Sequence, residues 1–165
     1  VVASGTISGF ESSLVVIWIY VIMKLDAFGC IFMMKIDGKY SEQINDLSGI
    51  SKKNPLIAIS FLIILFSLAG IPPLGGFFAK FFIFMSVIEN EMYTLAILGL
   101  LTTVVSAFYY LKIIKIIYFD EMKNTLDQVK DINVSGTVLI SCLILISFFL
   151  YPSFLNNIIS VIFIN

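Results

Sequence analysis

Lys80, Lys24 and Asp26 are ionisable residues set within otherwise apolar sequence. Lys80 comes one turn after Gly70-Ile71-Pro72-Pro73-Leu74-Gly75-Gly76. Two prolines and three glycines in seven residues cannot continue a helix, because N–H donors are lost and the glycines are costly to order. A break of this kind frees backbone carbonyls, and in lipid it survives only where protein or a watery cavity satisfies them. A lysine beside such a break has the means to exchange a proton, because its proton affinity answers to burial and to neighbouring charge. The alternative is a lysine that snorkels from near the end of a short helix. Lys24 and Asp26 are two residues apart in one apolar run. On a helix that spacing sends the side chains to nearly opposite sides, so each needs a partner from another helix or chain. Charges inside a membrane are expensive and are kept for function or for interhelical pairing. A structural pair and a proton relay are therefore the two readings of Lys24 and Asp26.

Other reactive constellations are absent from the sequence. There is no phosphate-binding loop, no dinucleotide fingerprint and no nucleophile with a histidine base. The formal charge is −1 with no histidine, and all the basic residues are lysine, which argues against nucleic-acid binding and histidine-built metal sites. Cys30 and Cys142 are far apart in apolar runs and have no metal or redox spacing, so they read as small core or lipid-phase residues. Lys112 and Lys115 lie beside Tyr109, Tyr110 and Tyr118, the pattern of an interfacial anchor belt. No cofactor or metal is expected on this chain.

The elements that must position these residues are written in the hydropathy. Apolar residues make up 59% of the chain and charged ones 13%, and mean hydropathy is +1.05. A soluble domain of this size keeps too much of its surface wet to bury that much apolar area, so the expected solvent is lipid. At roughly 20 residues per span, the length allows about five helices. The predicted spans are 14–34, 55–71, 73–89, 93–119 and 134–154, in a single transmembrane domain over 1–165. The span at 55–71 is short, about 25 Å, and the one at 93–119 is long, about 40 Å, so it must tilt or protrude. The third is discontinuous: its apolar stretch, 77–88, is about 18 Å and cannot cross alone. A short helix starting at a break, with a lysine one turn in, has the form of a discontinuous transporter helix. No run alternates with period two, which argues against a barrel. Lysines flank the polar connectors 35–54 and 120–133 about equally, so the positive-inside count does not orient the chain. Pro55 is a good helix-start residue. The first ten residues lack the basic and apolar regions of a targeting segment. With no initiator methionine, the expectation is a trimmed chain or a piece of a longer one.

The stretch NPLIAISFLIILFSLAGIPPLGGFFAKFFIF (Asn54 to Phe84) and the later SAFYYLKIIKIIYF (Ser106 to Phe119) resemble the carboxy-terminal part of NADH:ubiquinone oxidoreductase chain 2, the antiporter-like membrane subunit family of respiratory complex I. DLSGISKKNP (Asp46 to Pro55) and the AFG of Ala27 to Gly29 fit the same region, and the likeness covers most of Leu14 to Phe154. The resemblance implies an all-α membrane fold of fourteen helices in two inverted repeats, of which this chain corresponds to about the tenth to fourteenth. It also implies that Lys80 matches the lysine of the broken twelfth helix, which the family uses in its half-membrane proton path. The family's other central charged residues lie on helices absent here, so a complete proton path would use either a separate chain supplying the amino-terminal helices, as an expected partner, or a further part of this one. Small or amide residues are usual in the family at the positions of Lys24 and Asp26, which leaves those two without a standard role.

The implied function is a non-redox subunit of a proton-translocating NADH:ubiquinone reductase. NADH, FMN, iron–sulfur clusters and ubiquinone would be bound elsewhere in the complex. Expected partners are the other membrane-arm subunits and lipids, with no nucleic acid. The abundance of Phe, Ile, Lys, Asn and Tyr resembles the product of an AT-rich organellar genome and points to the mitochondrial inner membrane. The alternatives are a structural remnant without its own proton path and a related cation/proton antiporter subunit.

Overall fold

The computed structural model describes residues 7–36, 38–40, 43–122 and 132–150. Each apolar run forms one helix: α1 Ile7–Phe32, α2 Pro55–Ala69, α3 Gly75–Glu89, α4 Tyr93–Phe119 and α5 Ile132–Leu150. α4 has the predicted bounds. α2 opens on Pro55 in its first turn, where the missing N–H costs nothing. α1 starts earlier than residue 14, because a helix nucleated in the apolar run propagates cheaply into the mixed residues ahead of it. α3 starts at Gly75, so Pro72 and Pro73 (joined by a cis peptide) lie in the non-helical link and not in the span. The end of the predicted fifth span, 151–154, and connector residues 123–131 lie outside the described residues.

The connector after α1 is more ordered than a solvent loop. It holds a short antiparallel hairpin, β1 Lys35–Ile36 with β2 Lys39–Tyr40, in which the Lys35 ammonium sits 4.9 Å from the centre of the Tyr40 ring. Two 3-10 turns follow, at Ile44–Leu47 and Ile50–Lys52, with Leu47 and Ile50 buried. The Gly49 N–H donates to the Ile116 carbonyl at 3.0 Å, which ties this connector to the end of α4.

α1 is central, packing against α2, α3 and α5, while α4 leans mainly on α2. Ile19, Met23, Ile57, Ile64, Ile117, Val138 and Leu145 are fully buried. The outside is as apolar as the inside, with Trp18, Leu101, Val104, Phe108 and Leu143 all well exposed. Apolar patches on that scale mark a surface made for lipid or for neighbouring protein. Among the described helices, α4 is long and apolar enough to cross a membrane unaided. α2 and α3 have 15 residues each, about 22 Å, short of the hydrocarbon thickness.

A lysine on the carbonyls of a broken helix

The end of α2 shows how the break is built. Gly70 takes a left-handed conformation, φ 82°, which an L side chain rarely adopts. Its N–H donates to the Phe66 and Ser67 carbonyls at 3.1 and 3.0 Å, and the Ile71 N–H donates to Phe66 O at 3.0 Å. This folded-back cap uses N–H groups from beyond the helix to satisfy two of its last carbonyls. The carbonyls of Leu68 and Ala69 are left over. Lys80 fills them: its Nζ donates to Leu68 O at 2.9 Å and to Ala69 O at 3.0 Å. These oxygens are the negative end of the α2 dipole, where a cation is favoured.

α3 is held so that Lys80 reaches that end. The Gly76 N–H donates to Ser67 Oγ at 3.0 Å, and the same hydroxyl donates to the Met23 sulfur at 3.1 Å. One side chain therefore joins the first turn of α3 to α2 and α1. A Cβ at Gly76 would fall on the Ser67 carbonyl oxygen, and one at Gly70 would lie 2.8 Å from Lys80 Cδ. Gly70 thus serves both the backbone turn and the lysine's passage.

Of the residues singled out from the sequence, the fold brings Lys80, Gly70 and Gly76 together. Gly75 is buried beside Gly76 in the first turn of α3, while Pro72 and Pro73 are exposed in the link. Lys24 and Asp26 do not join the cluster. Lys24 is exposed on the outer side of α1, and Asp26 is 1% exposed on the inner side. Lys112 is exposed near the end of α4, and Lys115 lies 3.5 Å from Asp120 in an exposed ion pair. Sequence reasoning missed Ser67. Its signal was a hydroxyl one turn before the glycine that ends a mostly apolar helix.

The arrangement can do one kind of chemistry. Protonated Lys80 makes two charge-assisted hydrogen bonds to backbone acceptors, each on the order of 1.5–3 kcal/mol. A neutral amine at the same place keeps only weaker donors, so a proton leaving Lys80 also loosens the cap on α2. Among the described residues no cluster of three metal-ligating side chains occurs.

The sequence profile described as NADH:quinone oxidoreductase/Mrp antiporter, TM, matches residues 1–106. The chain belongs to this family. Relatives in it named NADH-quinone oxidoreductase subunit N include that of Pelagibacter ubique, 52% identical over 158 residues, covering 96% of this chain and 34% of the relative. That of Paramagnetospirillum magneticum is 40% identical over 152 residues, covering 92% of this chain and 31% of its own length. Both are bacterial, and the chain spans about a third of each. A chain in the solved respiratory complex I of Thermus thermophilus with bound Aureothin superposes with a TM-score of 0.77 at 24% identity, over 87% of this chain and 33% of that one. That likeness carries the fold of this chain.

Proposed function

We propose that the chain works as part of an antiporter-like, proton-translocating membrane subunit of an NADH:quinone oxidoreductase, with Lys80 as its proton-carrying group. The observation that carries this reading is the Lys80 ammonium held on the Leu68 and Ala69 carbonyls at the end of a broken helix. Family membership and the names of the relatives support the setting. In this reading a charge change elsewhere in the membrane arm alters how favourably Lys80 holds its proton, and the ammonium's bonds to α2 couple loading and release to the backbone of the break.

The wider reading follows from the same position in the complex. All five segments lie in the membrane as one domain over 1–165, with the short α2 and the discontinuous α3 completing their crossings through the non-helical backbone beside them. The chain sits among membrane-arm subunits and lipids, with the remaining helices of the fold supplied by further polypeptide. Electron transfer from NADH to quinone, through FMN and iron–sulfur clusters, runs on other subunits, so this one is a non-redox part of the enzyme. Residue usage argues for the mitochondrial inner membrane, and the bacterial relatives argue for a bacterial energy-coupling membrane.

One observation favours a second reading. Both hydrogen bonds of Lys80 go to backbone, so it serves as a cap on α2 whether or not it moves protons. Replacing Lys80 with methionine separates the two. The variant keeps the apolar stem and removes the proton site, and it also gives up the two bonds to the α2 carbonyls, so activity is read per assembled complex. In membranes matched for complex content, Lys80→Met is expected to lower quinone-reductase turnover and protons pumped per electron. Unchanged turnover and pumping would assign Lys80 to structure alone.

A further inference from the structure

Asp26 is buried where nothing in the Lys80 cluster explains it. It lies on α1 one turn past Met23, at the packing of α1 against α2 and α5, and is 1% exposed. Neither carboxylate oxygen has a hydrogen-bond partner among the described residues. The groups that face it are Cys30, one turn further along α1, and Ser141 and Cys142 on α5, with Ser60 of α2 against Cys142. Each serine hydroxyl in this group has a backbone acceptor on its own helix. Ser141 Oγ donates to the Thr137 carbonyl at 2.8 Å, and Ser60 Oγ to the Leu56 carbonyl at 3.0 Å. Lys24 is on the outer side of the same helix, and no lysine among the described residues forms an ion pair with Asp26.

An ionised carboxylate in this place has neither a counter-charge nor a strong donor, which is the costliest way to bury the group. A carboxylic acid suits it better. Its O–H can be donated to a lone pair of Ser141 Oγ, whose own proton points along α5, and its remaining oxygen can accept from weak thiol donors. We propose that Asp26 is a second proton-binding site of this chain, separate from Lys80. Its carboxyl takes up one proton, forming one O–H bond and breaking no other bond in the protein, and holds it against Ser141 in the α1–α2–α5 core. The proposal stands on the packing around Asp26 and does not depend on what Lys80 does.

The test is infrared spectroscopy of the assembled complex in its native membranes, comparing wild type with Asp26→Asn and Ser141→Ala. Wild type minus Asp26→Asn is expected to show a carboxylic-acid C=O band above the amide region. Complex content in Asp26→Asn should stay within about twofold of wild type, because the amide replaces one neutral group with another. Ser141→Ala removes the acceptor and is expected to shift that band to higher frequency at unchanged complex content. A spectrum with no carboxylic-acid band assignable to Asp26 would overturn the proposal. So would a difference spectrum in which Asp26→Asn removes carboxylate stretching bands and no acid band, the behaviour of a charged carboxylate; should Asp26→Asn fail to assemble, acid bands left unmoved in Ser141→Ala would overturn the proposal as well.

Discussion

At the scale of single residues the break depends on what Gly70 lacks. Its φ of 82° is strained for any L side chain, at about 1–2 kcal/mol, and a Cβ there would also push against the Lys80 stem. Gly70→Ala is therefore expected to lower the inactivation temperature of the complex and, by displacing the ammonium from Leu68 and Ala69, to reduce turnover in the same direction as Lys80→Met. Measuring both in membranes of equal complex content checks the idea. Lost stability with full turnover would mean that the position of Lys80 does not matter to activity. Ser67 works differently: its hydroxyl makes no bond to Lys80 but fixes the first turn of α3, and so sets where the lysine starts from.

At the scale of elements, α4 is a helix without a polar side. Ala96, Ile114 and Ile117 are its buried residues, while Leu101, Val104, Val105 and Phe108 face outward. A helix apolar all round belongs in lipid or deep inside a larger assembly. A charge placed mid-helix on that outer face should cost about 2.5–3.5 kcal/mol. Val104, 68% exposed near the middle of α4, is the position to use. Val104→Lys is expected to cut the membrane-inserted complex severalfold, read by quantitative immunoblot of washed membranes against a neutral Val104→Ala control. Equal levels of the two variants would show a face that meets water. α2 and α3 make the complementary point. Each is too short to cross alone, and they are locked together by a lysine, a serine and a glycine where a continuous helix would have used its own backbone.

At the scale of the molecule, the described helices bury one side of α1 and leave large apolar faces on α1, α4 and α5 uncovered. The chain spans about a third of the relatives it matches, and the superposed Thermus thermophilus chain is likewise about three times its extent. Surface of this kind is satisfied by lipid and by further helices, and Lys24 on the outer side of α1 requires more than lipid tails. Expressed by itself in a bilayer, the chain is expected to be degraded or to aggregate. Protease resistance and size-exclusion behaviour in mild detergent provide the check, and a monodisperse, protease-resistant monomer would count against it.

The sequence by itself determined the helical, membrane-integral class and the place of the break. Those follow from local quantities: the length of an apolar run, a proline at 55 and the glycine–proline link at 70–74 each act on the backbone where they stand. Local reading also singled out Lys80, because a charge in an apolar run is visible without any fold. The tertiary structure alone decided what Lys80 touches, since its acceptors are the backbone carbonyls of Leu68 and Ala69, and every residue has a carbonyl. It alone decided that Asp26 turns inward and Lys24 outward. α1 is apolar around most of its circumference, so no polar stripe marks which side faces protein, and only the packing of α2, α3 and α5 against it chooses.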